Sequence, residues 1–250
     1  MNLSAHLLSF ESVIFSKEEL KGLILENVPK HIAIIMDGNR RWARLHRKPI
    51  VYGHYLGAHA FDRVVTAAVD LGVKVLTSFC FSTENWGRPS GEVSGVMKIL
   101  EHYLSAKTEK MVEKGVRFHT IGDLAPLPPR LQEQIRETKE LTAQGEKLDL
   151  VLAITYGARD DIRRAVNKAM QQCGTELTQE DIGRHLDTAR WPDPELFIRP
   201  GGEARLSNFL LWQLSYAELY FTEVLWPEFT PREFLKAIMA YQNRSRRWGK

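Results

Sequence analysis

The chain has 250 residues, 44% of them hydrophobic and 26% charged, which is ordinary globular composition. Its 34 Lys and Arg against 31 Asp and Glu leave a formal charge of +3. That is too mild for a dedicated nucleic-acid binder, so no nucleic-acid partner is expected. No apolar run approaches the roughly 18 residues of a membrane span.

A chain of this length can bury roughly three quarters of its unfolded surface, enough for one sizeable core. A single domain over 1–250 is expected, with 1–29 as a helical N-terminal extension. "MNLSAHLLSFESVIF" has no basic residue ahead of its apolar part and makes a poor signal peptide. The two cysteines, Cys80 and Cys173, lack metal-ligand spacing and read as reduced thiols. A cytoplasmic protein is expected, with peripheral contact to the inner membrane face left open.

In chain order, Ser16-Lys17-Glu18-Glu19 has the form of a capping box and predicts a short helix through "KEELKGLILENV", closed by Pro29. Strands are predicted at 31–36, 73–81, 116–122, 148–156, 196–199 and 219–226. Helices are predicted at 53–70, 92–113, 129–143 and 160–172. Alternating β and α elements argue for an α/β fold with a mostly parallel sheet. Several strands are continuous apolar runs, as expected when both sheet faces are covered. Ligands of such sheets bind beyond the carboxyl ends of the strands, so the residues just after each strand carry the information.

After the first strand stands Asp37-Gly38-Asn39-Arg40-Arg41-Trp42. Gly38 permits a tight turn, the next helix start offers backbone N–H groups, and Arg40 or Arg41 suits phosphate oxygens. Asp37 would repel a bare phosphate. It makes sense beside a divalent cation, since Mg²⁺ commonly takes one or two carboxylates plus substrate phosphates. The plain alternative is a helix cap followed by solvated arginines. After the second strand, Ser82, Thr83, Glu84, Asn85, Trp86 and Arg88 pack hydroxyls, an acid, an amide and a guanidinium together; Ser82 or Thr83 could equally cap a helix and Trp86 merely pack. After "LFIR", the run from Arg199 through Pro200, Gly201, Gly202, Glu203, Arg205, Leu206 and Ser207 to Asn208 describes an oxyanion nest. Glu218 alone reads as a satisfied hydrogen-bonding residue. There is no G-x-x-x-x-G-K-[ST] and no G-x-G-x-x-G, which argues against ordinary nucleotide sites.

Together "HIAIIMDGNRRWA", "GH" at 53–54, "FSTENWGRP", "IRPGGEARLSNFLLWQ" and "AELYFTEVLWPEF" resemble the cis-prenyltransferases, the undecaprenyl diphosphate synthase family. The resemblance implies a six-stranded, mostly parallel sheet flanked by helices, an apolar tunnel, a homodimer and a Mg²⁺ requirement. It implies condensation of isopentenyl diphosphate onto an allylic diphosphate, usually farnesyl diphosphate, with undecaprenyl diphosphate for cell-wall synthesis as the expected product. Carried over, Asp37 binds Mg²⁺ and acts at the reacting diphosphates. Gly38, Asn39, Arg40, Arg41 and His54 hold the allylic diphosphate, and Trp42 lines the substrate site. Ser82, Thr83, Glu84, Asn85, Trp86 and Arg88 organise the condensation, with Asn85 in the place of the proton acceptor. Arg199, Arg205, Leu206 and Ser207 hold isopentenyl diphosphate, and Glu218 is the second metal ligand, from either subunit.

Candidate tunnel residues are Leu148, Leu150, Leu152, Ile154, Met97, Leu100, Leu104, Ala58 and Val65, each equally suited to a core. Two departures from the family pattern stand out. Ile50 replaces an Arg three residues before the "GH" glycine, with Arg47 or Lys48 as a substitute, and Pro200 replaces a Thr, removing one N–H donor. Competing readings are a catalytically silent partner subunit, a phosphotransferase acting through Asp37, and a binding module built on the basic tail 242–250.

Overall fold

The computed structural model describes residues 12, 14–174 and 176–244. Six strands form one sheet: β1 His31–Ile35, β2 Val75–Ser82, β3 Val116–Ile121, β4 Leu148–Tyr156, β5 Leu196–Pro200 and β6 Glu218–Thr222. The spatial order is β3-β4-β2-β1-β5-β6, and every neighbouring pair is parallel. The sheet is therefore wholly parallel rather than mostly so. Parallel strands need crossovers, and these are supplied by α1 Asn39–Leu45, α2 Ile50–Asp70, α3 Ser90–Glu113, α4 Pro129–Leu141, α5 Ala158–Cys173 and α6 Gln179–Gly183. Helix α7, Pro231–Gln242, follows β6.

Strand alternation divides the core in two. Ile32 and Ile34 of β1 point into the larger cluster, beneath α2, α3, α4 and α7. Ala33 and Ile35 point into the smaller one, beside Tyr156, Phe197 and Phe209. Both sheet faces are thus covered, as the unbroken apolar strands require.

The chain leaves β1 toward β2 on one side and returns later as β5 on the other. This makes the carboxyl ends of β1 and β5 the topological switch point, where open α/β sheets bind ligands.

Several expected boundaries move. The capping box at Ser16 forms: the Ser16 N–H donates to Glu19 (2.9 Å) and the Glu19 N–H to the Ser16 hydroxyl (3.3 Å). No α-helix follows. Gly22, at φ 93, turns the chain out of helical geometry, and only a 3-10 turn, Leu25–Asn27, appears before β1. Phe15, Leu20 and Leu23 bury their side chains in the main core, so this stretch is held by packing rather than by helix formation. Residues 1–11, where the weak signal-peptide reading falls, and most of the basic tail 242–250 lie outside the described residues.

Strand β6 ends at Thr222, because Trp226–Glu228 forms a 3-10 turn with Pro227 in it. Helix α1 is the one expected to start after Gly38, while α6 and α7 are additions to the helices expected. Among the described residues no helix is long and apolar enough to cross a membrane.

Candidate active site

Asp37 follows β1, and Arg199 stands one residue before the end of β5, so the sheet itself brings them together. Arg199 Nη2 donates to Asp37 Oδ2 at 3.0 Å, and Arg41 Nη2 lies 3.4 Å from the same oxygen. Asp37 Oδ1 makes no hydrogen bond to a described residue. Arg199 is only 4% exposed. Its Nη1 donates to the Ser207 hydroxyl (2.8 Å) and to the Arg205 carbonyl. Among the described residues its buried Nε has no hydrogen-bond partner, and neither has the buried Asn39 Oδ1. Orphaned polar atoms gathered around one cleft are what a bound polar ligand satisfies.

Gly38 caps α1 at φ 114, and a Cβ there would stand 3.0 Å from the Leu225 backbone. Both facts require glycine. No side chain caps the helix, so its first-turn N–H groups stay available to an anion.

Strand β2 delivers the second group. The Ser82 N–H donates to Asn85 Oδ1 (3.2 Å), and Ser82 and Asn85 form a reciprocal capping box around the 3-10 turn Thr83–Gly87. The Asn85 carbonyl oxygen is therefore already engaged. Asn208 Nδ2 donates to Glu84 (3.0 Å). Burial raises the Glu84 pKa, but bonds from its backbone and from Asn208, Ser82 and Thr83 outweigh that and hold it below the usual carboxylate range.

A buried carboxylate that sequence reasoning missed, Glu92, organises the third group. It sits 6% exposed in the first turn of α3. Its Oε1 is 3.2 Å from Arg88 Nη1 and 3.3 Å from His54 Nε2, and its Oε2 is 3.6 Å from Arg40 Nε. Burial lowers the pKa of His54, against the opposing pull of Glu92, so the imidazole is neutral near pH 7. Burial also lowers that of Arg88. The one sequence signal for Glu92 was its position four residues after Arg88 on a helix start.

Some of these groups line one cavity of about 590 Å³, whose lining does not include Arg40, Arg41 or Glu92. Asp37, Asn39, His54, Ser82, Glu84, Asn85, Arg88, Arg199 and Ser207 reach it, and its interior is walled by Phe61, Phe79, Val96, Ile99, Leu100 and Tyr103. Of the tunnel candidates, Ala58, Leu100 and Leu152 line it; Leu148, Leu150, Ile154, Met97, Leu104 and Val65 pack in the core instead. Cys80 also lines it, with its thiol pKa pushed up to about 12 by burial, so it serves as an apolar wall atom.

Other expected site residues fall elsewhere. Trp42 points outward: its indole N–H donates to Glu228 (2.8 Å) and its ring stacks on His46 at 4.0 Å. Trp86 packs edge-on to Phe81 at 5.2 Å, off the cavity lining. Thr83 lies against Gly157 and Leu206 against the smaller core. Arg205 is exposed and bonded to Glu203, which also faces Arg41 (3.7 Å). The nest after β5 is closed from behind, because the Gly201 and Gly202 N–H groups donate to Val224 (2.9 Å) and Thr222 (2.8 Å). Arg47 and Lys48 are exposed and do not line the cavity. Glu218 pairs in register with Leu196, at the amino end of the sheet, roughly 16 Å along the strands from the level of Asp37. It accepts from Arg244 Nη1 (2.6 Å).

Comparison with known proteins decides what this constellation belongs to. The family model described as "Putative undecaprenyl diphosphate synthase" matches residues 35–249. The chain belongs to the undecaprenyl diphosphate synthase family of cis-prenyltransferases. It is 47% identical to the isoprenyl transferase of Aquifex pyrophilus, over 89% of this chain and 96% of that protein. It is 43% identical to that of Chlamydia pneumoniae, over 96% of this chain and 100% of the other. Among solved structures, lavandulyl diphosphate synthase from Lavandula x intermedia, in complex with dimethylallyl diphosphate, superposes with a TM-score of 0.86 at 34% identity, covering 90% and 100% of the two chains. A probable undecaprenyl diphosphate synthase from Campylobacter jejuni gives 0.76 at 38%, covering 89% and 99%. The substrates of such a family are isoprenoid diphosphates, and the cavity lining has both halves of that chemistry: the guanidiniums of Arg88 and Arg199 and a set of apolar side chains.

Asp37 fits a metal that substrate completes. It offers one unshared carboxylate oxygen beside cationic groups suited to a diphosphate, and Mg²⁺ needs little more from protein. Among the described residues no three His, Cys, Asp or Glu side chains gather, so the chain by itself forms no closed metal cage.

Proposed function

We propose that the protein adds isopentenyl diphosphate units to an allylic diphosphate, farnesyl diphosphate as primer, to make undecaprenyl diphosphate for the bacterial cell-wall lipid carrier. The observation that carries this is the joining of the Asp37–Arg199–Ser207 cradle to an apolar cavity in one cleft. A diphosphate with a hydrocarbon tail fits such a cleft from end to end.

Each turn breaks the allylic C–O bond, forms a C–C bond to the isopentenyl double bond, and releases one proton. Charge grows on the departing diphosphate, and preorganised cations stabilise it most in the transition state. Arg40, Arg41 and the α1 N–H groups are the cations and donors assigned to the departing allylic diphosphate, beside the cavity rather than in its lining. Arg199 and Ser207 hold the isopentenyl diphosphate beside it. Without substrate, Arg199 and Arg41 rest on Asp37 Oδ2, and an arriving diphosphate competes for the same guanidiniums. Mg²⁺, held by Asp37 and substrate oxygens, would add Lewis-acid stabilisation to the leaving group. Asn85, a weak base with its carbonyl engaged, positions the loop. The proton passes through Asp37, water or the diphosphate.

A homodimer working in the cytoplasm completes the proposal, with Glu218 reaching the partner's metal and β6 at the interface. Tyr216, 80% exposed, and Phe221 on that edge favour a protein contact there. A shorter product is the second reading, favoured by the higher TM-score to lavandulyl diphosphate synthase; the higher identity to the Campylobacter protein favours the long one.

The test is product analysis with Mg²⁺, farnesyl diphosphate and labelled isopentenyl diphosphate. A ladder ending in a long polyprenyl chain, abolished by chelator and by Asp37→Ala, is expected. A single short product would replace the long-chain reading. No incorporation with several primers would reinstate the silent subunit.

A further inference from the structure

The outer surface of α1 and α2 carries a ring ladder that the active site does not use. Trp42 stacks on His46 at 4.0 Å and lies 6.2 Å from Tyr52, Tyr52 lies 6.1 Å from Tyr55, and Tyr55 meets His59 edge-on at 4.7 Å. Much of it faces solvent: Tyr52 and Tyr55 are each 42% exposed, and neighbouring Leu45 is 72% exposed. Arg44, Arg47 and Lys48 stand exposed among them, and none pairs with an acid among the described residues. Glu228 is the acid at this edge, and it is occupied by Trp42 and His46.

Beside the ladder, α2 and α3 leave a mainly apolar groove of about 270 Å³, lined by Val51, Tyr55, His59, Ile99 and His102 and rimmed by Lys98. Ala58, Ile99 and Tyr103 belong to both this groove and the active-site cavity, so they form the wall between the two.

We propose that this face seats the protein on an anionic phospholipid bilayer. Tyrosine and tryptophan settle at the headgroup level, where one end of the ring is apolar and the other wet. Unpaired Arg and Lys beside them meet anionic headgroups, each strengthening binding about fivefold near the surface. An exposed apolar run bordered by free cations fits that boundary better than it fits water or a neutral protein. The groove, one side-chain layer from the cavity, then lies against the acyl region. The proposal rests on the reading of the product as a lipid, since a long polyprenyl chain must leave the cavity into hydrocarbon.

The experiment uses the full chain without substrate, sedimented with vesicles of equal parts phosphatidylcholine and phosphatidylglycerol, or of phosphatidylcholine alone. Wild type is expected to bind the mixed vesicles, to release from them in high salt, and to bind phosphatidylcholine far more weakly. The triple variant Leu45→Ser, Tyr52→Ser, Tyr55→Ser and the double variant Arg44→Glu, Lys98→Glu should each lose at least tenfold in affinity.

Wild-type binding that neither variant weakens, or no binding to mixed vesicles, overturns the proposal. So does a change in oligomeric state in either variant, which would make the face a contact between copies of this chain. Product formation in detergent, measured on the same preparations, should match wild type and shows that the variants fold. If wild type binds vesicles but makes no polyprenyl product, the docking surface stands and the functional reading falls.

Discussion

Asp37 and Arg199 are 162 residues apart in the chain and meet at 3.0 Å across the switch point of the sheet. The contact joins the metal-binding candidate to the isopentenyl diphosphate candidate before any ligand arrives. Asp37→Asn keeps the shape and removes the charge. It should lower kcat by about 100- to 1,000-fold, the usual loss when one transition-state electrostatic contact is deleted. Steady-state kinetics on a defined primer checks this, and a loss below tenfold would assign Asp37 to structure alone.

Glu92 is the common counter-ion of Arg40 and Arg88, and its Oε1 also meets the neutral His54 at 3.3 Å. Glu92→Ala leaves two guanidiniums facing each other around an uncompensated site. Because both arginines are partly solvated, the stability loss should be about 1–3 kcal/mol, below the cost of breaking a fully buried pair. Urea unfolding measures it. Weakened binding of the allylic diphosphate should accompany it, read as a raised KM.

His31 is buried between the Pro192 carbonyl (2.6 Å from Nδ1) and the Thr77 hydroxyl (2.8 Å from Nε2). The carbonyl can only accept, so Nδ1 carries the hydrogen and Nε2 accepts from Thr77. Burial lowers the pKa from 6.5 to about 4. The sign follows: below about pH 6.5 the unfolded chain takes up a proton that the folded chain refuses, so stability falls until about pH 4 and then levels. Between about pH 7.5 and pH 5 this one group should cost about 2 kcal/mol. His54 and His119, also lowered by burial, act in the same direction. Unfolding free energies for wild type and His31→Gln across this range check the point: the variant should show a shallower slope, and parallel curves would remove His31 as a cause.

The sheet and its site were legible to the extent that they follow from local rules. Apolar runs marked each strand, and the residues after β1, β2 and β5 proved to meet, because a parallel sheet aligns its carboxyl ends. What stayed hidden depended on packing between distant segments. Glu92 looks like any first-turn helix acid until α1 and α2 bring Arg40 and His54 to it. Trp42 follows two arginines that the sequence assigned to the site, yet one helical step rotates it to the outer face. The glycine pair after β5 promised free N–H donors, but β6 and the segment after it supply carbonyls that take them. At Ser16 the capping signal formed as written, and Gly22 overrode what should have followed.

Ala58 borders both the cavity and the outer groove. On the function proposed above, Ala58→Leu narrows the cavity that would take the lengthening hydrocarbon while leaving Asp37, Arg199 and Ser207 untouched. Products should stop at shorter lengths, with the first condensation largely retained. Chromatographic sizing of the ladder decides it; an unchanged terminal length would mean that the chain grows along another wall.

Glu218 lies at the amino end of β6, too far along the sheet to join Asp37 of its own chain. If it completes a metal site, that site is the partner's. Asp37→Ala and Glu218→Ala should then each be inactive alone and complement each other when mixed and allowed to exchange subunits. In a two-fold dimer the mixed species has one site with both defects and one with neither. Random pairing makes half the dimers mixed, and half of their sites intact, so about a quarter of wild-type activity should return. A Glu218 acting within its own subunit leaves both sites of the mixed dimer defective, and no activity returns. An active Glu218→Ala homodimer would remove the residue from the metal site altogether and leave its bond to Arg244 as a purely structural contact.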